Sequence, residues 1–226
     1  MMYDSVVEGV FLRRPNRFIA EVEVDGRVEI CHVKNTGRCK ELLVPSAKVY
    51  LNESGNPARS TKYDLIAVYK GERLINIDSQ APNRAFGEYL RQGGLIEEIT
   101  YLRPETKYRD SRLDFYAEAG ERRIFLEVKG VTLEENGVAM FPDAPTERGV
   151  RHLNELALSL ADGYEAYVIF IIQMEGASYF TPNYGTHPEF GAALAAAIEA
   201  GVKAVAFDCV VAPDSMAVNC RVPIKL

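Results

Sequence analysis

The stretch Ala166 to Ile172, AYVIFII, is the longest apolar run in the chain, flanked by Glu165 and Gln173. Seven apolar residues in a row are strand length and far too few to span a bilayer. A strand with no polar alternation has to be covered on both faces, which demands a sheet with helices above and below it. Lys203 to Val211 reads as another buried strand. Helical periodicity surrounds both. Thr146 reads as an N-cap for a helix running to about Ala161, with Val150, Leu153, Leu156, Ala157 and Leu160 as its apolar stripe. Pro188 opens another helix that ends at Gly201. Asn83 to Gln92 forms a third, with Phe86 and Leu90 buried and Gly93-Gly94 stopping it. A short strand, Val138 to Phe141, and a final edge strand, Met216 to Cys220, complete a mixed α/β sheet over residues 81–226, with 179–184 as a loop.

The first 80 residues read differently. Strand signals fall at Phe11-Leu12, Phe18 to Val24, Arg27 to Val33, Lys48 to Leu51, Asp64 to Tyr69 and Arg73 to Ile77, with Asp25-Gly26 a tight hairpin turn. So many short strands in that length predict a small barrel of the OB kind.

Between the two helical stretches lies a hairpin, Arg112 to Val131. Leu113, Phe115 and Ala117 alternate with polar neighbours, a turn falls at Ala119-Gly120, and Arg123 to Val128 forms the return strand. Glu127 and Lys129 leave the same face of that strand, and Asp114 can lie beside them. Two adjacent carboxylates repel unless a hard divalent cation binds between them. Such a cation activates water and neutralises phosphoryl charge, and a nearby lysine orients that water. The bland alternative is a surface hairpin with ion pairs. Glu88 shares a helix face with Arg84, as an exposed pair or as a further acidic ligand.

Basic residues cluster at Arg13, Arg14 and Arg17, at Lys34, Asn35, Thr36, Arg38 and Lys40, and on the helix capped by Thr146 at Arg148, Arg151 and His152. The first two groups read as loops able to hold phosphates through guanidinium forks and backbone N–H groups. The helix group reads as one basic face near an N-terminus, where a phosphate docks. Solvated loops and a partly buried histidine are the plain alternatives. The net charge of −6 counts against a strongly basic nucleic-acid binder, though local distribution decides a binding face. The start carries no basic signal-peptide region, and four cysteines without CxxC spacing read as reduced thiols, Cys31 in the core; both predict a cytoplasmic chain.

The motifs also resemble a known family. NTGR at Asn35–Arg38, NRAFGEYL at Asn83–Leu90, SRLDF at Ser111–Phe115, LEVKGVTL at Leu126–Leu133, FPDAPTERGVRHLNEL at Phe141–Leu156 and PxFxxxLxxAxxxGV at Pro188–Val202 run in order through nearly the whole chain. Together they resemble the sugar fermentation stimulation (SfsA) family, and the α/β part is similar to the restriction-endonuclease-like PD-(D/E)XK nuclease fold. The resemblance implies an OB-like domain, a nuclease-like domain and DNA binding. It maps metal-site roles for Mg²⁺ or Mn²⁺ onto Asp114 and Glu127, with Lys129 as third member and Glu88 as a helix ligand. Lys34, Pro145 and His187 depart from the pattern in loops and caps only.

The expectation is a DNA-binding protein of little sequence preference with a metal-dependent phosphodiesterase site. Its rivals are a non-catalytic DNA-binding regulator of sugar (maltose) metabolism and a protein adaptor; no large exposed apolar stretch recommends the adaptor. A homodimer would let two sites reach opposite strands, but no residue argues for one.

Overall fold

The computed structural model describes residues 1–35, 37–56 and 58–226. Its first part is a barrel built from β1 (Val6–Asn16), β2 (Ile19–Val24), β3 (Arg27–Val33), β4 (Lys48–Glu53) and β5 (Tyr63–Lys70). They pair in the order β3-β2-β1-β4-β5, and a parallel β3–β5 pairing through Cys31↔Tyr63, His32↔Asp64 and Val33↔Leu65 closes the ring. Period-2 alternation drives the closure: Ala20, Val22, Cys31, Val33, Val49, Leu51 and Leu65 all turn inward and are fully or almost fully buried. The hairpin strand β6 (Arg73–Asn76) extends the sheet beyond β5 and leads out of the barrel.

The second part follows as α1 (Ala81–Arg91), β7 (Tyr101–Tyr108), β8 (Ser111–Ala119), β9 (Arg122–Val131), β10 (Leu133–Glu135), β11 (Val138–Phe141), α2 (Glu147–Ala161), β12 (Glu165–Ile172), β13 (Tyr179–Pro182), α3 (Pro188–Ala200), β14 (Lys203–Ala212) and β15 (Ser215–Val222). A six-stranded mixed sheet runs β15-β14-β12-β9-β8-β7, with β12 parallel to both β9 and β14. The apolar run sits where its composition requires. Tyr167, Ile169 and Ile171 join the cluster under α1, while Val168, Phe170 and Ile172 join the cluster under α2 and α3. The latter cluster is continuous with the barrel interior.

The seam between the parts is polar and directed. The Asn76 N–H donates to the Gln173 carbonyl at 2.9 Å, and Gln173 Nε2 donates back to the carbonyls of Asn76 and Asp78 at 3.0 and 3.1 Å. The first residues lie against the second sheet, with a Met2↔Ser215 bridge, rather than in the barrel.

Several expectations change. Strand β1 continues through Arg13–Asn16, which the sequence reading makes a loop, because irregular pairing with β2 accommodates Pro15. Strand β7 carries no apolar alternation; it is an exposed edge containing Pro104, and only pairing with β8 reveals it. Residues 179–182 form β13, parallel to β11, and β10 adds a third strand to that small sheet. The four cysteines are free thiols, and Cys31 is fully buried. Among the described residues no helix is long and apolar enough to cross a membrane.

Candidate functional site

The β8–β9 hairpin turns at Gly120-Glu121, and its ladder is regular from Ala119↔Arg122 to Phe115↔Leu126. There the cross-strand pairing ends. Two residues on along β9, the Val128 N–H donates to Asp114 Oδ2 at 2.8 Å. Asn83, in the first turn of α1, donates to the other oxygen at 2.8 Å. Asp114 is therefore gripped from both sides at the point where the two strands part.

Glu127 lies on the α2 side of β9 and is 2% exposed. Its Oε1 accepts from Lys129 Nζ at 2.6 Å and contacts His152 Nδ1. Its Oε2 is buried and has no hydrogen-bond partner. Burial works to raise the Glu127 carboxyl, but the Lys129 ammonium and the hydrogen bond with His152 outweigh it and hold the group below the ordinary carboxylate range. Asp114 goes the other way. Burial first, and the Glu127 charge second, push it up to about 6 against the donations from Val128 and Asn83. Two carboxylates with opposed environments in one small volume are characteristic of a chemical site.

The donor set suits a hard divalent cation. A buried carboxylate oxygen without a partner is costly, and a cation removes that cost. Among the described residues no three His, Cys, Asp or Glu side chains form a metal-holding group. A pair of carboxylates is the donor set that Mg²⁺ uses: the ion binds through one or two carboxylates and keeps several waters.

The structure brings Asp114, Glu127 and Lys129 together and adds two residues that the sequence reading placed elsewhere. His152, which helical spacing groups with Arg148 and Arg151 as a phosphate contact, is 1% exposed and turns into the sheet. Its place next to Leu153 and one turn before Leu156, on the border of the apolar stripe, is the signal that marks it as inward. Asn83, read only as a helix start, holds Asp114.

Glu88 leaves the group. It lines the same cavity of about 380 Å³ as Asp114, but its carboxylate pairs with the Met1 amino group at 2.7 Å and is half exposed. The buried residues Phe86, Gly87 and Leu90 set the face of α1 that meets the sheet, and Glu88 projects beyond it.

The predicted phosphate contacts divide. Arg13 forms a two-pronged pair with Glu21 across β1 and β2 at 2.7 and 2.8 Å. Arg14 donates to the carbonyls of Arg17, Asn35, Gly37 and Arg38, so it clamps the two basic segments together instead of facing a ligand. Lys34 pairs with Asp64 at 3.0 Å and Asp78 at 3.5 Å. The Asn35 side chain accepts from the Gly37 N–H in a local turn. Thr36 lies outside the described residues. Arg17 is exposed and stacks on Phe18 at 4.5 Å. Arg38, Arg148 and Arg151 have exposed side chains. The barrel loop is tied to the approach of α2: the Arg38 N–H donates to Asp143 Oδ2 at 3.0 Å, and a Cβ on Gly37 would collide with that carboxylate. Arg38 thereby sits on the path that leads through Thr146, whose hydroxyl caps α2, to Arg148 and Arg151.

An OB-type barrel followed by a restriction-endonuclease-like α/β domain, with an acid pair and a lysine on its central hairpin, defines a two-part class of protein. Family models agree with that division: the sugar fermentation stimulation protein RE domain matches residues 80–215, and the SfsA N-terminal OB domain matches residues 12–77. The chain belongs to the sugar fermentation stimulation protein family. A sugar fermentation stimulation protein homolog of Desulfitobacterium hafniense strain Y51 is 59% identical over 226 residues, covering 100% of this chain and 99% of the relative. That of Ruminiclostridium cellulolyticum is 56% identical, with 100% of both chains covered. The solved structure of Pyrococcus furiosus SfsA in complex with Ca²⁺ superposes with a TM-score of 0.91 at 29% identity, covering 100% of this chain and 98% of that one.

Proposed function

We propose that this protein binds DNA mainly through its backbone and carries a divalent-metal-dependent phosphodiesterase site on the β8–β9 hairpin. The observation that carries the reading is the buried, unpartnered Glu127 Oε2 beside an Asp114 whose acidity is pushed in the opposite direction. The Ca²⁺ complex of the P. furiosus relative supports a divalent cation in the family. Asp114 and Glu127 would hold Mg²⁺ or Mn²⁺, with Lys129 as the third catalytic group. When bound, the cation would neutralise charge on the phosphate and lower the pKa of its water, making it a better nucleophile.

The chain's own groups do the rest. Asn83 and the Val128 N–H fix the Asp114 rotamer. Lys129, only 11% exposed, keeps its ammonium within the acid cluster, where it can face a developing negative charge on phosphorus. Arg38 and Arg151, with the outer nitrogens of Arg148, hold flanking phosphates, and Arg17 adds a charge further along the barrel. These contacts carry no base information, so binding is largely indifferent to sequence and falls steeply with salt.

The test is cleavage of end-labelled single- and double-stranded DNA with Mg²⁺, Mn²⁺ or EDTA, alongside a Glu127→Ala, Lys129→Ala double variant. Metal-dependent cutting that the variant loses is the expected result. No cutting by either protein, with equal DNA retention, would leave a binder without turnover. That second reading draws on the lack of a third acidic or imidazole ligand among the described residues.

A further inference from the structure

Glu127 uses its two oxygens unequally. Oε1 takes both of its side-chain contacts, from Lys129 and His152, and Oε2 takes none although it is buried. What makes the carboxylate stand this way lies on α2, outside the acid pair.

His152 contacts Glu127 through Nδ1, and its Nε2 lies 3.2 Å from Arg148 Nε, one helical turn earlier. An arginine Nε always carries hydrogen and never accepts. Nε2 must therefore be the accepting nitrogen, and the imidazole hydrogen sits on Nδ1, aimed at Glu127 Oε1. The other tautomer would set an N–H against the Arg148 N–H and a lone pair against the carboxylate. Lys129 Nζ lies 3.5 Å from Nδ1 but 2.6 Å from Oε1, so its short bond goes to the carboxylate as well.

We infer that Arg148 and His152 are positioning residues: Arg148 fixes the His152 tautomer, and His152 with Lys129 holds Oε1 so that Oε2 alone is presented to the metal. This rests on the reading of Asp114 and Glu127 as a metal site. It extends that reading to a side chain, Arg148, which the sequence places only among phosphate contacts. The arrangement parallels the way a histidine bound to a metal is itself oriented by a carboxylate, with the roles exchanged. Partners of that kind are worth roughly 10–100-fold in metal affinity. The link to α2 has a further consequence. The N-cap bond from the Gly149 N–H to Thr146 Oγ1 at 3.0 Å sets the first turn of the helix, and with it the reach of Arg148.

The experiment uses the full chain and two readouts. Long-range ¹H–¹⁵N spectra of the metal-free protein report the tautomer of each of its three histidines, with His152 assigned by its loss in His152→Ala. The expected pattern for His152 is hydrogen on Nδ1 with Nε2 accepting, and Arg148→Lys should convert it to a mixture. A proton on Nε2 would overturn the inference.

Mn²⁺ affinity is then read from the resonance of the free ion. His152→Ala should weaken binding about 10–100-fold, and His152→Asn, whose amide can occupy the Nδ1 position, should recover most of it. Equal affinity in wild type and His152→Ala would sink the positioning role while leaving the metal site standing. Absence of Mn²⁺ binding in wild type would instead remove the metal site, and the tautomer spectrum would then decide whether Arg148 and His152 hold Glu127 at all.

Discussion

Two of the protein's acid clusters are treated in opposite ways. At the closure of the barrel, Asp64 is 2% exposed and every lone-pair direction is taken. Arg59 reaches both of its oxygens, Lys34 lies at 3.0 Å from Oδ2, and His32 Nδ1 at 3.2 Å from Oδ1. Burial works to raise this carboxyl, but Arg59 and Lys34 overcome it and bring it down to about 2. In the hairpin, Asp114 receives two neutral donors and faces a second carboxylate, and it rises to about 6. Desolvation raises both acids; what differs is whether the fold supplies enough positive charge to match it. The barrel cluster resolves its electrostatics within the chain. The hairpin cluster leaves a deficit that a ligand can fill, which is how a binding site differs from a structural ion pair.

The comparison is broken most severely by Asp64→Ala. Removing the acid strands Lys34 and Arg59 at the barrel end, and loss of one partner from a buried pair costs about 3–5 kcal/mol. Urea denaturation at pH 7 measures it, and a loss under about 1 kcal/mol would mean that the cluster is better solvated than its geometry indicates. The same acid sets a pH dependence. Its folded value lies below its ordinary one, so its contribution is present above about pH 4 and lost as pH falls toward 2, by about 2 kcal/mol. In Asp64→Asn that part of the acid slope should disappear.

How these clusters could be read from the sequence follows the same division. The hairpin site was legible because Asp114, Glu127 and Lys129 are close in sequence, and strand alternation is enough to place Glu127 and Lys129 on one face. The barrel cluster was not, since His32, Lys34, Arg59 and Asp64 meet only through the parallel β3–β5 pairing. Without that pairing Lys34 reads as a solvent-facing phosphate contact. Arg14 was misread for a related reason: its four acceptors are backbone carbonyls, which residue identity does not announce. The apolar β12 predicted its own two-sided burial, whereas β7, an exposed edge, had no periodicity to show.

Asp114→Asn gives a smaller effect of opposite sign. Because the folded value is raised, the protonated form is favoured in the folded state, and stability is lost as pH climbs through about 6. At pH 7 without metal, the neutral amide removes this penalty but gives up one acceptor, for a net stabilisation of about 1–2 kcal/mol. Cleavage should vanish in the same protein. Thermal melts in EDTA at pH 5 and pH 7 measure the first part, with the gain expected at pH 7 and reduced at pH 5. A destabilised Asp114→Asn would place Asp114 in the same structural class as Asp64.

The smallest energetic effects separate charges that the fold uses from charges it leaves outward. Arg38→Ala and Arg151→Ala remove exposed side chains, so stability should change by less than about 0.5 kcal/mol. If each meets one phosphate, each should weaken DNA binding by a similar factor on unrelated sequences and lower the slope of log affinity against log salt by about 1. Arg14→Ala should behave differently, since its guanidinium holds carbonyls of both basic segments. There the loss of affinity should follow the loss of loop order and leave the slope per remaining contact unchanged. Titrations of one duplex over a range of salt distinguish the two. An unchanged slope in the double variant Arg38→Ala, Arg151→Ala would move the DNA path away from the α2 approach, even with the acid site intact, because the cost of a missing phosphate contact has to appear as counterions not released.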